Sequence, residues 1–105
     1  MENKQALTSL AALANETRLA IFRLLIQAGP NGIQASKIGE ALDVTSSSLS
    51  FHLKELSYSN LVTSRQDGRF VIYTAQFETM NALMDFLTEN CCDGGTCTVR
   101  ANCVS

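Results

Sequence analysis

The stretch Thr45-Ser46-Ser47-Ser48-Leu49-Ser50-Phe51-His52-Leu53-Lys54-Glu55-Leu56-Ser57-Tyr58 is followed by Leu61–Gln66, Asp67-Gly68 and Arg69–Thr74. In its first part the apolar residues Leu49, Leu53 and Leu56 recur at helical spacing, and Thr45 is a good N-cap. The period then changes to that of β-strands. Asp-Gly between two β-prone runs predicts a hairpin, because Gly accepts the positive φ that a type I′ turn demands. A helix from Thr45 to Tyr58 and a hairpin behind it set the frame for the rest of the chain.

Upstream, a short helix over Ala35–Leu42, with Ile38 and Leu42 inward, is separated from the Thr45 helix only by Asp43-Val44. Before it, Asn15 caps a helix through Gln27, with Leu19, Ile21, Phe22, Leu25 and Ile26 as its apolar stripe. Gly29-Pro30-Asn31-Gly32 stops it. Leu7, Leu10 and Leu13 repeat at helical spacing, which predicts a first helix over residues 4–14. Downstream, Phe77, Met80, Leu83, Met84 and Leu87 place a last helix over Gln76–Asn90. The order is four helices, a hairpin and a helix. The fold class is mainly α with a β-hairpin wing, a winged helix-turn-helix. The first and last helices carry more apolar surface than a lone domain covers, so a homodimer is expected.

The 105 residues suit one domain. The formal charge of −2 is unevenly spread. Residues 1–74 hold seven Lys/Arg and six Asp/Glu, while residues 75–105 hold one Arg and four Asp/Glu. This excludes a polybasic nucleic-acid coat, so any DNA contact is local. The apolar stretch Ala6–Leu25 is broken by Asn15, Glu16, Arg18 and Arg23. It is neither a signal sequence nor a membrane span. A reducing, cytoplasmic setting with no membrane partner is expected.

The exposed positions of the Thr45 helix carry small hydroxyls, an imidazole and an ammonium. Short hydroxyl side chains allow close approach to the major-groove floor, and they bond base edges or phosphates. The candidate contacts to double-stranded operator DNA are Ser46, Ser47, Ser48, Ser50, His52 and Lys54, with Arg65 and Arg69 flanking the hairpin tip. The bland reading gives the serines capping roles and leaves the basic residues solvated. His52 is equally open to a structural role.

Three runs together resemble the ArsR/SmtB family of winged-helix metalloregulatory repressors. They are Leu13-Ala14-Asn15-Glu16-Thr17-Arg18-Leu19-Ala20-Ile21-Phe22-Arg23-Leu24-Leu25, then Ser50-Phe51-His52-Leu53-Lys54-Glu55-Leu56, then Gly68-Arg69-Phe70-Val71-Ile72-Tyr73. The resemblance covers about residues 5–90. It implies a homodimer, built from the first and last helices, that represses a promoter until an inducer binds. Arsenic-sensing members often carry a Cys-Val-Cys-type motif in the third helix, where this chain has Ala35-Ser36-Lys37-Ile38. Zinc sensors of the family use histidines on the last helix, which this chain lacks. Glu89-Asn90-Cys91-Cys92, then Cys97, is instead similar to an arsenic-repressor branch with cysteines at the end of the last helix.

All four cysteines, Cys91, Cys92, Cys97 and Cys103, fall in the last fifteen residues. The chain therefore divides into a DNA-binding and dimerisation domain over residues 1–90 and a cysteine-rich tail over residues 91–105. Trivalent arsenic keeps a lone pair and takes three thiolates in a pyramid. Cys91, Cys92 and Cys97 can supply these, because Gly94 and Gly95 let the chain fold back between them. As(III), or antimony in the same oxidation state, is the expected inducer; Cys103, nearer the terminus, is a possible further ligand. Cd(II), Pb(II), Zn(II), thiol oxidation, or a cysteine-rich module without DNA function remain open. No organic cofactor is indicated.

An enzyme is not expected. Loop-type thiol arsenate reductases need Cys-x5-Arg, but Arg100 follows Cys92 after seven residues and Cys97 after two. Cys91 and Cys92 at a helix C-terminus also face a dipole that disfavours the thiolate nucleophile.

Overall fold

The computed structural model describes residues 1–89, which form five helices and a three-stranded antiparallel sheet. Helix α1 spans Asn3–Leu13 and α2 Glu16–Ala28. Asn15 caps α2 as its side chain predicts, with Oδ1 accepting from the Arg18 backbone N–H at 3.0 Å. On α1 the buried face is Ala6, Ser9 and Ala12, small residues that let the helix lie close, while Leu7 and Leu10 face outward.

After α2 a 3-10 turn, Gly29–Asn31, leads into a strand absent from the sequence-based expectation: β1, Ile33–Gln34. Gly32 joins the two at φ +74. Helices α3 (Ala35–Leu42) and α4 (Ser46–Tyr58) follow. Their tight link holds Asp43 at φ 53, and the Val44 N–H donates to the Gly39 carbonyl at 3.0 Å. Thr45 Oγ1 accepts from the Ser48 N–H at 3.4 Å. Helix α4 ends in a Schellman arrangement around Asn60 at φ 62, with Leu61 N–H donating to Leu56 O at 3.0 Å and Asn60 N–H to Ser57 O at 3.1 Å. Leu56 and Leu61, at the two ends of the outer bond, are both fully buried.

Strands β2 (Val62–Asp67) and β3 (Phe70–Ala75) form the wing, and β3 is central in the order β1-β3-β2. Asp67 pairs with Phe70, so the hairpin loop is Gly68-Arg69, one residue beyond the expected Asp67-Gly68. Gly68 has φ +64, whereas Arg69 is not among the positive-φ residues. A positive φ at the first loop position only is the type II′ pattern, in place of the expected type I′. The shift follows from register. Val62 pairs with Ala75 and both are buried, whereas an Asp67-Gly68 loop sets Val62 against the half-buried Tyr73.

Helix α5 covers Phe77–Leu87. The core gathers Ile21, Phe22 and Leu25 of α2 with Ile38 of α3, Leu49, Leu53 and Leu56 of α4, and the start and end of the wing. At about 25 cal/mol per Å² of apolar area removed from water, this cluster is the main source of stability. Among the described residues no helix is long and apolar enough to cross a membrane.

Candidate nucleic-acid interface

With Leu49, Leu53 and Leu56 inward, the opposite face of α4 is set by helical geometry. Ser47, Phe51, Lys54 and Tyr58 form the outward stripe, with Ser50 beside it. Ser46, Ser47, Ser48, Ser50 and Lys54 are all exposed, as the sequence predicts for this helix. The first turn of α4 is free of acidic residues, so its N-terminal dipole faces outward without a competing carboxylate. Small hydroxyls at that end and an ammonium further along suit a helix that enters a groove lined by phosphates.

His52 has a different setting. It is half-buried, and its Nδ1 lies 3.3 Å from Arg18 Nη1. A guanidinium offers only donors, so Nδ1 is the acceptor. Arg18 Nε also donates to the Ala12 carbonyl at 2.7 Å. One side chain of α2 thus ties the C-terminal turn of α1 to α4. The His52 ring in turn meets the Phe51 ring edge-on, at a centroid separation of 5.5 Å and 65° between planes.

On the wing, Arg69 sits in the loop itself and is exposed. Arg65 is set further down, opposite Ile72. Its Nη2 donates to the Asn31 carbonyl at 2.8 Å and its Nη1 to Thr74 Oγ1 at 3.2 Å. The guanidinium links the wing to the turn before β1 and does not flank the tip. Sequence reasoning does not assign Arg18 or Phe51 to this region. Phe51 is within reach of the periodicity argument, since the Leu49/Leu53/Leu56 stripe places it outward.

Among the described residues no group of three or more His, Cys, Asp or Glu is placed to hold a metal ion. Cys91, Cys92, Cys97 and Cys103 lie outside the described residues.

A short helix, a tight link, an exposed hydroxyl-bearing helix and a hairpin define a winged helix-turn-helix DNA-binding domain. A family model described as a helix-turn-helix domain matches residues 13–65. The chain is 37% identical over 81 residues to an arsenical resistance operon repressor of Bacillus subtilis, covering 77% of this chain and 73% of that one. It is 31% identical over 83 residues to the transcriptional activator HlyU of Vibrio cholerae, covering 79% and 74%. It is 42% identical over 64 residues to a putative arsenical resistance operon repressor ArsR of Halobacterium salinarum, a match that covers 61% of this chain but only 49% of that relative. An ArsR-like transcriptional regulator from Rhodococcus superposes with a TM-score of 0.71 at 30% identity, covering 80% of this chain and 76% of that one. The chain belongs to the ArsR/SmtB family of winged helix-turn-helix transcriptional regulators.

Proposed function

We propose that the chain is a homodimeric repressor that binds operator DNA and releases it when trivalent arsenic binds Cys91, Cys92 and Cys97. The observation that carries the DNA reading is the α4 face, where a run of exposed serines and Lys54 stands opposite a buried leucine stripe. His52 and Arg65 already have partners within the protein, so the weight falls on Ser46, Ser47, Ser48, Ser50, Lys54 and Arg69. The cysteine spacing and the arsenical resistance named for the Bacillus relative support the inducer. Antimony shares the pyramidal three-thiolate preference and belongs to the same proposal.

Dimerisation is supported by apolar surface left uncovered on neighbouring helices. Leu7 and Leu10 of α1 and Met84 and Leu87 of α5 are exposed, and α1 and α5 touch. A two-fold pair across these helices sets the two α4 helices to read half-sites one turn apart, roughly 34 Å. Sedimentation is expected to show a dimer at micromolar concentration. A monomer that retains tight operator binding contradicts this arrangement.

The function is tested by duplex binding with arsenite, Cd(II) and Zn(II) titrated under reducing conditions, beside a promoter reporter. Specific binding abolished by arsenite, with the reporter rising on induction, supports the proposal. A reporter that falls when the protein is removed points to activation, the role named for HlyU. Release only by Cd(II), Zn(II) or an oxidant reassigns the inducer.

Within this reading, Ser47→Ala and Ser50→Ala are each expected to weaken operator binding by about 1–3 kcal/mol, the usual cost of one lost base contact. Arg69→Ala is expected to weaken binding to all sequences alike and to flatten the salt dependence. Quantitative gel shifts at several salt concentrations check both. Wild-type affinity in the two serine variants moves the contact surface elsewhere.

A further inference from the structure

Phe51 is the tallest apolar group on the outward face of the N-terminal half of α4, and 56% of it is exposed. An isolated exposed apolar side chain on a protein surface calls for no explanation. Phe51 is not isolated in that sense. It stands between Ser47 and Lys54 on the stripe that faces away from the core, with Ser50 beside it. These neighbours are short hydroxyls near the helix start and one flexible ammonium, so the ring projects beyond the serines toward whatever the helix approaches.

The ring is also supported. His52 packs edge-on against it at 5.5 Å, and His52 is held by Arg18, which is anchored on the Ala12 carbonyl. A chain of three contacts therefore fixes an aromatic side chain at the centre of the DNA-facing surface. Fixing it in advance lowers the ordering cost of a contact made there.

Most edges in the major groove present hydrogen-bond donors or acceptors. A phenyl ring set against one of these leaves it desolvated and unpaired, which is unfavourable. The thymine C5-methyl is the apolar group on the groove floor, and an aromatic side chain complements it. Resting on the operator reading above, we infer that Phe51 reads a thymine methyl in each half-site and is a specificity-determining residue of α4.

The test pairs two proteins with two kinds of DNA. The preferred duplex is first selected with the wild-type chain from random sequence. Each thymine is then replaced in turn by deoxyuridine, which removes the methyl and leaves the pairing edge unchanged. At one thymine position per half-site, wild-type binding is expected to weaken about four-fold, the factor that roughly 0.8 kcal/mol per buried methyl gives. Phe51→Ala is expected to bind the thymine and uracil duplexes equally at that position, while keeping the wild-type uracil profile elsewhere. Its thermal midpoint reports the fold, which an exposed side chain leaves intact. If wild type and Phe51→Ala share one uracil profile at every thymine, the inference fails and operator binding stands. If the wild-type chain selects no sequence at all, the operator reading fails with it.

Discussion

Arsenite is expected to release the wild-type chain from its operator and to leave a Cys91→Ser/Cys92→Ser variant bound. Serine keeps the size of cysteine but replaces a soft thiolate donor with a hard hydroxyl that does not ionise at neutral pH. Binding of the ion itself drives thiol deprotonation. The substituted positions come after the core, the α4 face and the wing in the sequence, so operator affinity without arsenite is expected to stay at the wild-type value. Allosteric couplings usually amount to about 1–3 kcal/mol, so arsenite is expected to lower wild-type operator affinity by about 5–150-fold and to do nothing to the double variant. Coupling is reciprocal, and operator DNA is expected to weaken arsenite binding by the same factor. Single substitutions separate the ligands. Cys91→Ser, Cys92→Ser and Cys97→Ser are each expected to remove release, while Cys103→Ser retains it. X-ray absorption on the arsenic is expected to count three sulfur neighbours. A normal response in the double variant refutes a tail site, and loss in Cys103→Ser alone identifies a different third sulfur.

The parts of the fold that local chemistry determines are legible in the sequence. Asn15 and Thr45 cap α2 and α4 because each offers a side-chain oxygen to the open N–H groups of a helix start. The span of α3 follows from its position between a Gly-Pro-Asn-Gly turn and the Asp43-Val44 link. What escapes sequence reading depends on partners far away along the chain. Ile33–Gln34 are a strand only because Tyr73 and Ile72 lie beside them. Two residues have no periodicity of their own to read. The Arg18–His52 contact and the Arg65 bond to Asn31 each join residues separated by 34 positions. The hairpin loop lies one residue from its expected place because turn chemistry favours Asp67-Gly68, whereas the burial of Val62 against Ala75 selects the register. On α4 the exposure of the serines and Lys54 is legible from the leucine spacing, while that of Phe51 is easily passed over because an aromatic residue reads more readily as core.

Gly32→Ala is expected to destabilise the domain by on the order of 3 kcal/mol, more than any other glycine substitution in the described residues. Two effects add. Gly32 sits at φ 74 and ψ −173, a region essentially restricted to glycine, where a Cβ alone costs roughly 1–3 kcal/mol. A Cβ there also meets the Tyr73 carbonyl oxygen at 2.5 Å, with Ile72 Cγ2 and Thr74 Oγ1 both at 2.9 Å. The nearest of these is backbone of the central strand, paired on one side with β1 and on the other with β2. It cannot move aside as the end of a side chain can. Relief requires β1 to separate from β3, and β1 runs directly into the first turn of α3. The substitution therefore loosens the helix-turn-helix from the wing as well as lowering global stability. Gly29→Ala and Gly68→Ala are the controls. Each has a positive φ, 76° and 64°, with nothing within 4 Å of the added Cβ, so each is expected to cost only the backbone share. Chemical denaturation of the three variants is the measurement. Equal midpoints for Gly32→Ala and Gly29→Ala show that β3 accommodates the methyl, and that the packing of β1 against β3 yields to it at little cost.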